Sequence, residues 1–467
     1  MSGNAFGDDS VEYLEDTIAA VSTPPGESGI GVVRLSGPRS LEIAGAIFRS
    51  ARGDTRLRHS RIHYGYAVDP ASGIVIDEVL LLVMKSPHSY TREDVVEIQC
   101  HGGTLPLTGI LECAIRLGAR IAGPGEFTRR AFLNGRIDLL QAEAVIEVIR
   151  SRSEKALHLA SRQLGGKVSE ELAAIRSKVV EILVNVEAPL DFPDEEIPMP
   201  PRGELLFSLD RLCDEIGNVI ERTSEARVYR EGLRCAIVGR PNVGKSSILN
   251  ALIGHDRAIV TEYPGTTRDS IECWLTIRGI PVTLLDTAGL RDTGDPIEKE
   301  GVRKTEEALR ASDFAIFVMD RASGLTEGDE EILQTLNDSN LRIIHVMNKC
   351  DLDPGGIGLP ADIEGAVSVS ALTGKGMDDL REALGRSLSS QQERADGCAL
   401  CSTRHLEVLI RAREALVEAG NAIRQGYPAD ACLVELKRAQ YCFGELFGED
   451  YSAEVLDAIF SEFCIGK

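Results

Sequence analysis

The stretch Gly239-Arg240-Pro241-Asn242-Val243-Gly244-Lys245-Ser246 decides how the centre of the chain folds. It follows the apolar run Cys235-Ala236-Ile237-Val238 and opens a segment with helical spacing. A glycine-rich turn between strand and helix that ends in Gly-Lys-Ser is a phosphate-binding loop. The glycines let backbone N–H groups reach phosphate oxygens, and the helix N-terminus adds partial positive charge. Lys245 is expected to reach the β- and γ-phosphates, and the Ser246 hydroxyl to ligate Mg²⁺. Asn242, Val243, Gly244, Lys245, Ser246 and Ser247 are thus expected to line a bound nucleotide.

Motifs further along name the base. Asp286-Thr287-Ala288-Gly289 closes the apolar run Val282 to Leu285. An aspartate at that strand end can hold Mg²⁺ through water, and Gly289 offers an N–H to the γ-phosphate and a hinge. Asn348-Lys349-Cys350-Asp351 follows Ile343 to Val346. The Asp351 carboxylate can accept from guanine N1–H and its 2-amino group, a donor pair that adenine lacks. The Lys349 stem can cover the base, and Ser370-Ala371-Leu372, after Ala366 to Val369, can give a backbone N–H to the guanine oxygen. Between the first two motifs lies Gly265-Thr266-Thr267-Arg268-Asp269, where Thr267 or Thr266 is the candidate second Mg²⁺ ligand. Leu290 stands where Ras-like enzymes carry a glutamine that orients the attacking water. The carboxylates of Asp292, Asp295, Glu298 and Glu300 are the candidates for that role. The chain reads as a protein that binds guanine nucleotides and hydrolyses GTP with Mg²⁺.

Working outward, strand and helix patterns alternate from Leu233 through Phe314 to Met319 and on to about Ser387. That alternation predicts a parallel sheet with helices on both faces. On the N-terminal side, helical spacing runs from Ile137 to Glu187, divided at Gly165-Gly166. The segment beginning Pro189-Leu190-Asp191 is expected to end it, and helical spacing resumes from about Gly203 to Arg230. After the polar stretch Ser389 to Asp396, helical periodicity continues to the end. A Ras-like G domain inserted into a loop of a discontinuous helical domain explains both flanks. Residues 17–135 read differently: Ile30 to Leu35, Val75 to Met84 and Val95 to Gln99 look like strands, and Leu111 to Ala119 has helical spacing. The fold class is therefore multidomain, α/β and all-α. Its expected sections are 1–135 (α/β), 136–231 (helical, first part), 232–388 (G domain) and 389–467 (helical, second part).

Composition agrees. The 467 residues are 43% hydrophobic and 27% charged, which suits about three globular domains at roughly 150 residues each. No run of apolar residues is long enough to span a membrane. Met1 to Asp16 is acidic and polar, unlike a signal peptide, so the expected location is the cytoplasm. The 11 scattered cysteines are then expected to be reduced, mostly as small buried hydrophobes. Cys398 and Cys401 lack the second pair that a structural zinc site needs. The net charge of −22 repels phosphate backbones at long range, so any handling of RNA needs a local basic patch or a partner.

The combination of the inserted G domain, Gly265 to Asp269, Asp286 to Arg291 and Cys464-Ile465-Gly466-Lys467 resembles the MnmE (TrmE) family of tRNA wobble-uridine modification GTPases. Asp16-Thr17-Ile18-Ala19-Ala20, Thr23-Pro24-Pro25-Gly26, His101-Gly102-Gly103, Pro124-Gly125-Glu126-Phe127 and Ala131-Phe132-Leu133-Asn134-Gly135 match its N-terminal motifs. The resemblance implies a GTPase that acts with a flavin-dependent partner, MnmG, in a heterotetramer. Together they add an aminomethyl-type group, such as carboxymethylaminomethyl, to C5 of uridine 34 in tRNA. It implies an N-terminal domain that dimerises and binds the one-carbon carrier 5,10-methylenetetrahydrofolate (5-formyltetrahydrofolate as its analogue), lined by Arg34, Glu97, Arg136 and Lys467. Arg136 stands where the family has lysine; it keeps the charge but changes its geometry. The family also implies K⁺ near the γ-phosphate, held by Asn242, Thr266 and main-chain oxygens of Thr261 and Tyr263. Such an ion does the electrostatic work of an arginine finger. Glu298 falls at the water-orienting glutamate, so Glu298, Lys245 and Thr267 are the catalytic candidates. The competing reading is a ribosome-assembly GTPase switch of the Era or Der type. It shares the nucleotide motifs but normally brings a basic RNA-binding module, and this acidic chain has none.

Overall fold

The computed structural model describes residues 16–53, 56–195, 197–255, 273–286, 308–339, 341–352, 365–388, 400, 402–449 and 453–467. The chain divides into two units, Met1–Ile146 with Tyr441–Lys467, and Glu147–Gln440.

In the first unit, β1 (Ile18–Val21), β2 (Ser28–Ser36), β3 (Phe48–Ser50), β4 (Ile62–Val68), β5 (Val75–Met84), β6 (Val95–Gly102) and β7 (Arg120–Ile121) form one sheet in the order β3-β4-β5-β6-β2-β1-β7. Alternation along the strands separates its faces. Val33, Leu35, Val96, Ile98 and Cys100 point into a core closed by α1 (Ser40–Ile47) and α2 (Thr104–Arg116). Arg34 and Glu97 fall on the opposite face, paired across β2 and β6. The helix expected over Leu111 to Ala119 therefore begins earlier and ends at Arg116. Pro106 hides its start from a spacing argument, although proline is tolerated in a first turn. Gly118, at φ +103, turns the chain away, and Ala119 is buried outside the helix. α3 (Glu126–Leu133) and α4 (Leu139–Arg150) follow. Leu139, Ala142 and Ile146 pack with Leu456, Phe460 and Phe463 of α13 (Ala453–Ser461) and the tail beyond it.

In the second unit, α5 (Glu154–Leu164), α6 (Lys167–Asp191), α7 (Arg202–Glu231), α11 (Thr403–Gln425) and most of α12 (Ala429–Phe447) are the helical elements outside the sheet region. Pro189 does not end α6 but lies inside its last turn. Only the Asn185 carbonyl loses its donor there, and Phe192 N–H still closes on Ala188 O at 3.0 Å. α7 and α11 pack on each other, with Arg413 Nε donating to the Cys213 carbonyl at 3.2 Å; ahead of α11, Leu400 N–H donates to Thr223 Oγ1 of α7 at 3.3 Å.

α7 feeds into β8 (Leu233–Val238), followed by α8 (Lys245–His255), β9 (Cys273–Ile277), β10 (Ile280–Asp286), β11 (Phe314–Asp320), α9 (Glu327–Asp338), β12 (Arg342–Asn348), β13 (Val367–Ser368) and α10 (Met377–Leu388). The sheet order is β13-β12-β11-β8-β10-β9. One face carries Ile248, Leu252, Leu380 and Leu384 of α8 and α10, the other Leu336 of α9 against Phe317 and Met319. This is the Ras-like α/β layering. The expected all-parallel sheet is corrected by one strand: β9 runs antiparallel to β10. Arg278 and Gly279, both at positive φ, make the hairpin turn between them. An Arg-Gly pair in place of Asn-Gly concealed that hairpin from sequence reading.

Candidate functional site

Parallel strands collect the expected motifs at one sheet edge. Register sets Asp286 opposite Ile237 and Asp320 opposite Asn348, so the carboxyl ends of β8, β10, β11 and β12 lie together, as ligand sites of such sheets do. The phosphate loop turns there. Gly244 has φ +93, and a Cβ on it would lie 2.2 Å from Asn348 Nδ2, so only glycine fits. Lys245, 8% exposed, donates from Nζ to the Gly239 carbonyl at 2.7 Å and the Arg240 carbonyl at 2.9 Å. Ser246 and Ser247 sit exposed in the first turn of α8.

Asn348 ties the base side to the phosphate side. It is 3% exposed, gives Nδ2–H to the Val243 carbonyl at 2.8 Å and accepts the Ala371 N–H on Oδ1 at 3.1 Å. Losing it would leave two backbone groups unpaired, at about 1–3 kcal/mol each. Lys349 Nζ reaches the Asn242 carbonyl at 3.0 Å and Asp320 Oδ2 at 2.7 Å. Asp351 is exposed, and a hydrogen bond from the wholly buried Ser370 holds its carboxyl below the usual carboxylate range. Ser370 Oγ also accepts the Thr373 N–H at 3.2 Å, fixing the loop that carries Ala371 and the 87% exposed Leu372. Val243, Gly244, Lys245, Asn348, Lys349, Asp351, Ser370 and Ala371 are thus assembled around one edge. Thr261, Tyr263, Thr266, Thr267, Thr287, Ala288, Gly289 and Glu298 lie outside the described residues, as do Leu290 and the Cys398–Cys401 pair; of Asp286 only the backbone is described.

The first unit gathers the other candidates. Arg34 Nε pairs with Glu97 Oε1 at 2.8 Å, each side chain 17% exposed, and Arg34 Nη1 donates to the Gly466 carbonyl at 3.1 Å. The Gly466 carbonyl also accepts from Ser22 Oγ at 3.1 Å, and Phe127 N–H meets the Lys467 carbonyl at 3.2 Å. Gly466 has φ +93 where a Cβ would meet the Val21 carbonyl at 2.4 Å, so the tail lies flat on β1. The Arg34 guanidinium sits 5.5 Å over the Phe127 ring, and Arg136 sits 4.6 Å over Tyr90. Burial pushes the Tyr90 phenol up, while Arg136 and Arg34 both oppose that shift. Tyr90 packs against the cluster that holds Phe127, so the two cations lie over neighbouring rings. Tyr90, Met84, His88 and Arg136 line an open cleft of about 560 Å³.

Residues 17–136 match the family described as GTP-binding protein TrmE N-terminus, and residues 139–464 match the MnmE helical domain. The tRNA modification GTPase MnmE of Carboxydothermus hydrogenoformans is 44% identical over 463 residues, covering 97% of this chain and 100% of the relative. That of Geobacter metallireducens is 45% identical over 463 residues with the same coverage. The chain belongs to the MnmE family.

Within this MnmE-family chain, three groups escaped sequence reading. Asp320 orients Lys349, and its one signal was a carboxylate ending an apolar strand. Tyr90 and Phe127 floor the first-unit pocket; Phe127 stood only within a family motif, and nothing in the sequence singled out Tyr90. The Glu126 of Pro124-Gly125-Glu126-Phe127 enters a buried charge network. Arg130, 1% exposed, donates to Glu93 Oε1 at 3.1 Å and Glu126 Oε1 at 3.0 Å and also bonds Asp16; Arg120 reaches Glu126 Oε1 at 2.6 Å and Asp16 Oδ2 at 2.7 Å. The i,i+4 spacing links only Glu126 to Arg130; no spacing rule links that pair to Asp16 or Glu93.

Proposed function

We propose that the chain is the GTP-hydrolysing subunit of a complex that modifies C5 of tRNA uridine 34, using a tetrahydrofolate one-carbon unit. The observation that carries this is one chain holding both a guanine-type nucleotide edge and the Arg34–Glu97–Gly466 pocket over Phe127. We assign residues 232–388 to the G domain, 136–231 with 389–467 to the helical domain and 1–135 to folate binding and dimerisation.

The residues fit a nucleoside triphosphate: the Gly244 cradle excludes a side chain, and Lys245 places an ammonium at the loop. Lys245 would pair with the β- and γ-phosphates, Ser246 and Thr267 would hold Mg²⁺, and Asp351 would accept from guanine. Mg²⁺ and K⁺, when bound, supply the charge that offsets phosphoryl transfer. Asn242 and Thr266, with Thr261 and Tyr263, would hold the K⁺, and Glu298 would orient water.

The first-unit pocket fits a pterin with an anionic tail. Phe127 and Tyr90 give flat apolar surface. Glu97 presents a second oxygen, Oε2, that no described residue bonds, and it can accept from a pterin amino group. Arg34, Arg136 and Lys467 would bring cations for the tail carboxylates. The relatives' printed role in tRNA modification supports tRNA as the substrate; the MnmG partner and the dimer are part of the proposal, and a partner would supply the basic surface that a −22 chain lacks.

Calorimetric titration with 5-formyltetrahydrofolate tests the pocket. Binding is expected, weakened roughly tenfold or more in Arg34→Ala. A wild-type chain with no heat of binding contradicts the one-carbon role and favours a simple switch.

A further inference from the structure

The phosphate loop is fastened from outside the nucleotide edge, at a point that the motifs do not explain. Asp329 stands at the third position of α9 and is fully buried, at 0% exposure. Its Oδ2 accepts the Thr326 N–H at 3.1 Å and the Thr326 hydroxyl at 2.9 Å, a capping box. A capping box alone needs no buried carboxylate. Here the same Oδ2 lies 2.8 Å from Arg240 Nε as an ion pair without hydrogen-bond alignment, and neither that Nε nor Oδ1 has a hydrogen-bond partner among the described residues. Arg240 Nη2 also donates to Ser323 Oγ at 3.0 Å, so the connection from β11 to α9 grips the guanidinium at two points. α9 itself is anchored by Leu336 against Phe317 and Met319.

Arg240 is the second residue of the loop. Its carbonyl takes the Lys245 ammonium at 2.9 Å, and two residues on Asn242 is held at φ +65 with its carbonyl bonded to Lys349. Pro241 joins the two with a fixed φ. Whatever orients Arg240 thereby orients Asn242.

We propose that Arg240 is a positioning residue for GTP hydrolysis: pinned on Asp329, it fixes the backbone from which Asn242 is presented to the γ-phosphate side. The inference rests on the potassium reading of Asn242 given above. It places the Arg240–Asp329 ion pair, buried on the aspartate side, in the control of cation use rather than of base recognition, which Asp351 and Ser370 handle at the other end of the edge.

Steady-state hydrolysis across a KCl titration tests this on the full chain, with Arg240→Met, Arg240→Lys and the double variant Arg240→Met/Asp329→Asn. In Arg240→Met the K⁺ concentration for half-maximal rate should rise roughly tenfold, while the affinity for a fluorescent GDP moves by no more than about threefold. Arg240→Lys should recover part of the loss. The double variant removes the stranded buried carboxylate, so it should regain thermal stability yet keep the raised K⁺ requirement. An unchanged K⁺ requirement in Arg240→Met overturns the proposal. So does a double variant in which stability and K⁺ requirement recover together, because the pair is then merely structural. Should the wild type hydrolyse GTP equally well in NaCl and KCl, the potassium reading is what fails. Arg240 is then judged by kcat at saturating GTP, which should fall about tenfold in both Met-containing variants; an unchanged kcat overturns the proposal.

Discussion

In the proposed function Asp351 accepts from the base at an exposed position, and its ionised form is reinforced locally. The Ser370 hydroxyl does that, from a fully buried seat that also ties down the Ala371–Leu372 turn. The hydrolytic step needs a different carboxylate. Leu290 cannot orient water, and Glu298 takes that role in the proposal. Glu298→Ala should slow hydrolysis by about 100-fold or more, the usual contribution of a positioned acid–base group, with GTP affinity nearly intact. A single-turnover measurement checks this; an unaltered rate removes Glu298 from the mechanism. Arg34 and Glu97 illustrate the same economy: one ion pair on a sheet face also holds the Gly466 carbonyl, so the pair proposed to bind folate and the placement of the tail share a guanidinium.

At the scale of elements, α3 depends on its charges. Arg130 is surrounded by Glu93, Glu126 and Asp16, and Arg120 completes the set. Arg130→Met leaves buried carboxylates short of a cation, a loss of about 3–5 kcal/mol, or about 10 °C in the melting temperature of this unit. Calorimetry reads this directly, and an unchanged midpoint contradicts it. The pH dependence has a definite sign. Burial alone would raise Asp16 and Glu126, but hydrogen bonds from Arg120, joined by Arg130 at Asp16 and by the Gly123 N–H at Glu126, hold both below the usual range. Their contribution is present above the ordinary carboxylate pKa and lost as pH falls through the depressed values, so stability should drop below about pH 4. Glu93 acts oppositely: burial raises it, and its contribution is lost as pH rises through the raised value.

The same scale shows what could be read in advance. Strands β2, β5, β6, β8, β10, β11 and β12 were legible because alternation or apolar runs end in recognisable turns. β9 was not, because its turn is Arg278-Gly279, and the start of α2 was not, because Pro106 interrupts the spacing. The residues gathered at the sheet edge were legible because a phosphate-binding loop and a guanine-type motif use fixed residue types at strand ends. Asp320, Asp329, Tyr90 and the links of Arg130 to Glu93 and Asp16 were not, because their partners are brought together by folding over long sequence separations.

At the scale of the whole molecule, two pockets of different chemistry occur in two units: cations over aromatic rings in one, a glycine-lined loop and an exposed carboxylate in the other. A net charge of −22 makes neither unit an RNA-binding surface by bulk electrostatics, so the nucleotide is the ligand on which the account turns. Its most direct test is competition of GTP and ATP for the wild-type chain and for Asp351→Asn, read by displacement of a fluorescent guanine nucleotide. GTP should bind at least about 100-fold more tightly than ATP, and Asp351→Asn should erase most of that gap. Equal binding of the two nucleotides by the wild type, or an Asp351→Asn chain that still prefers GTP as strongly, would contradict the account.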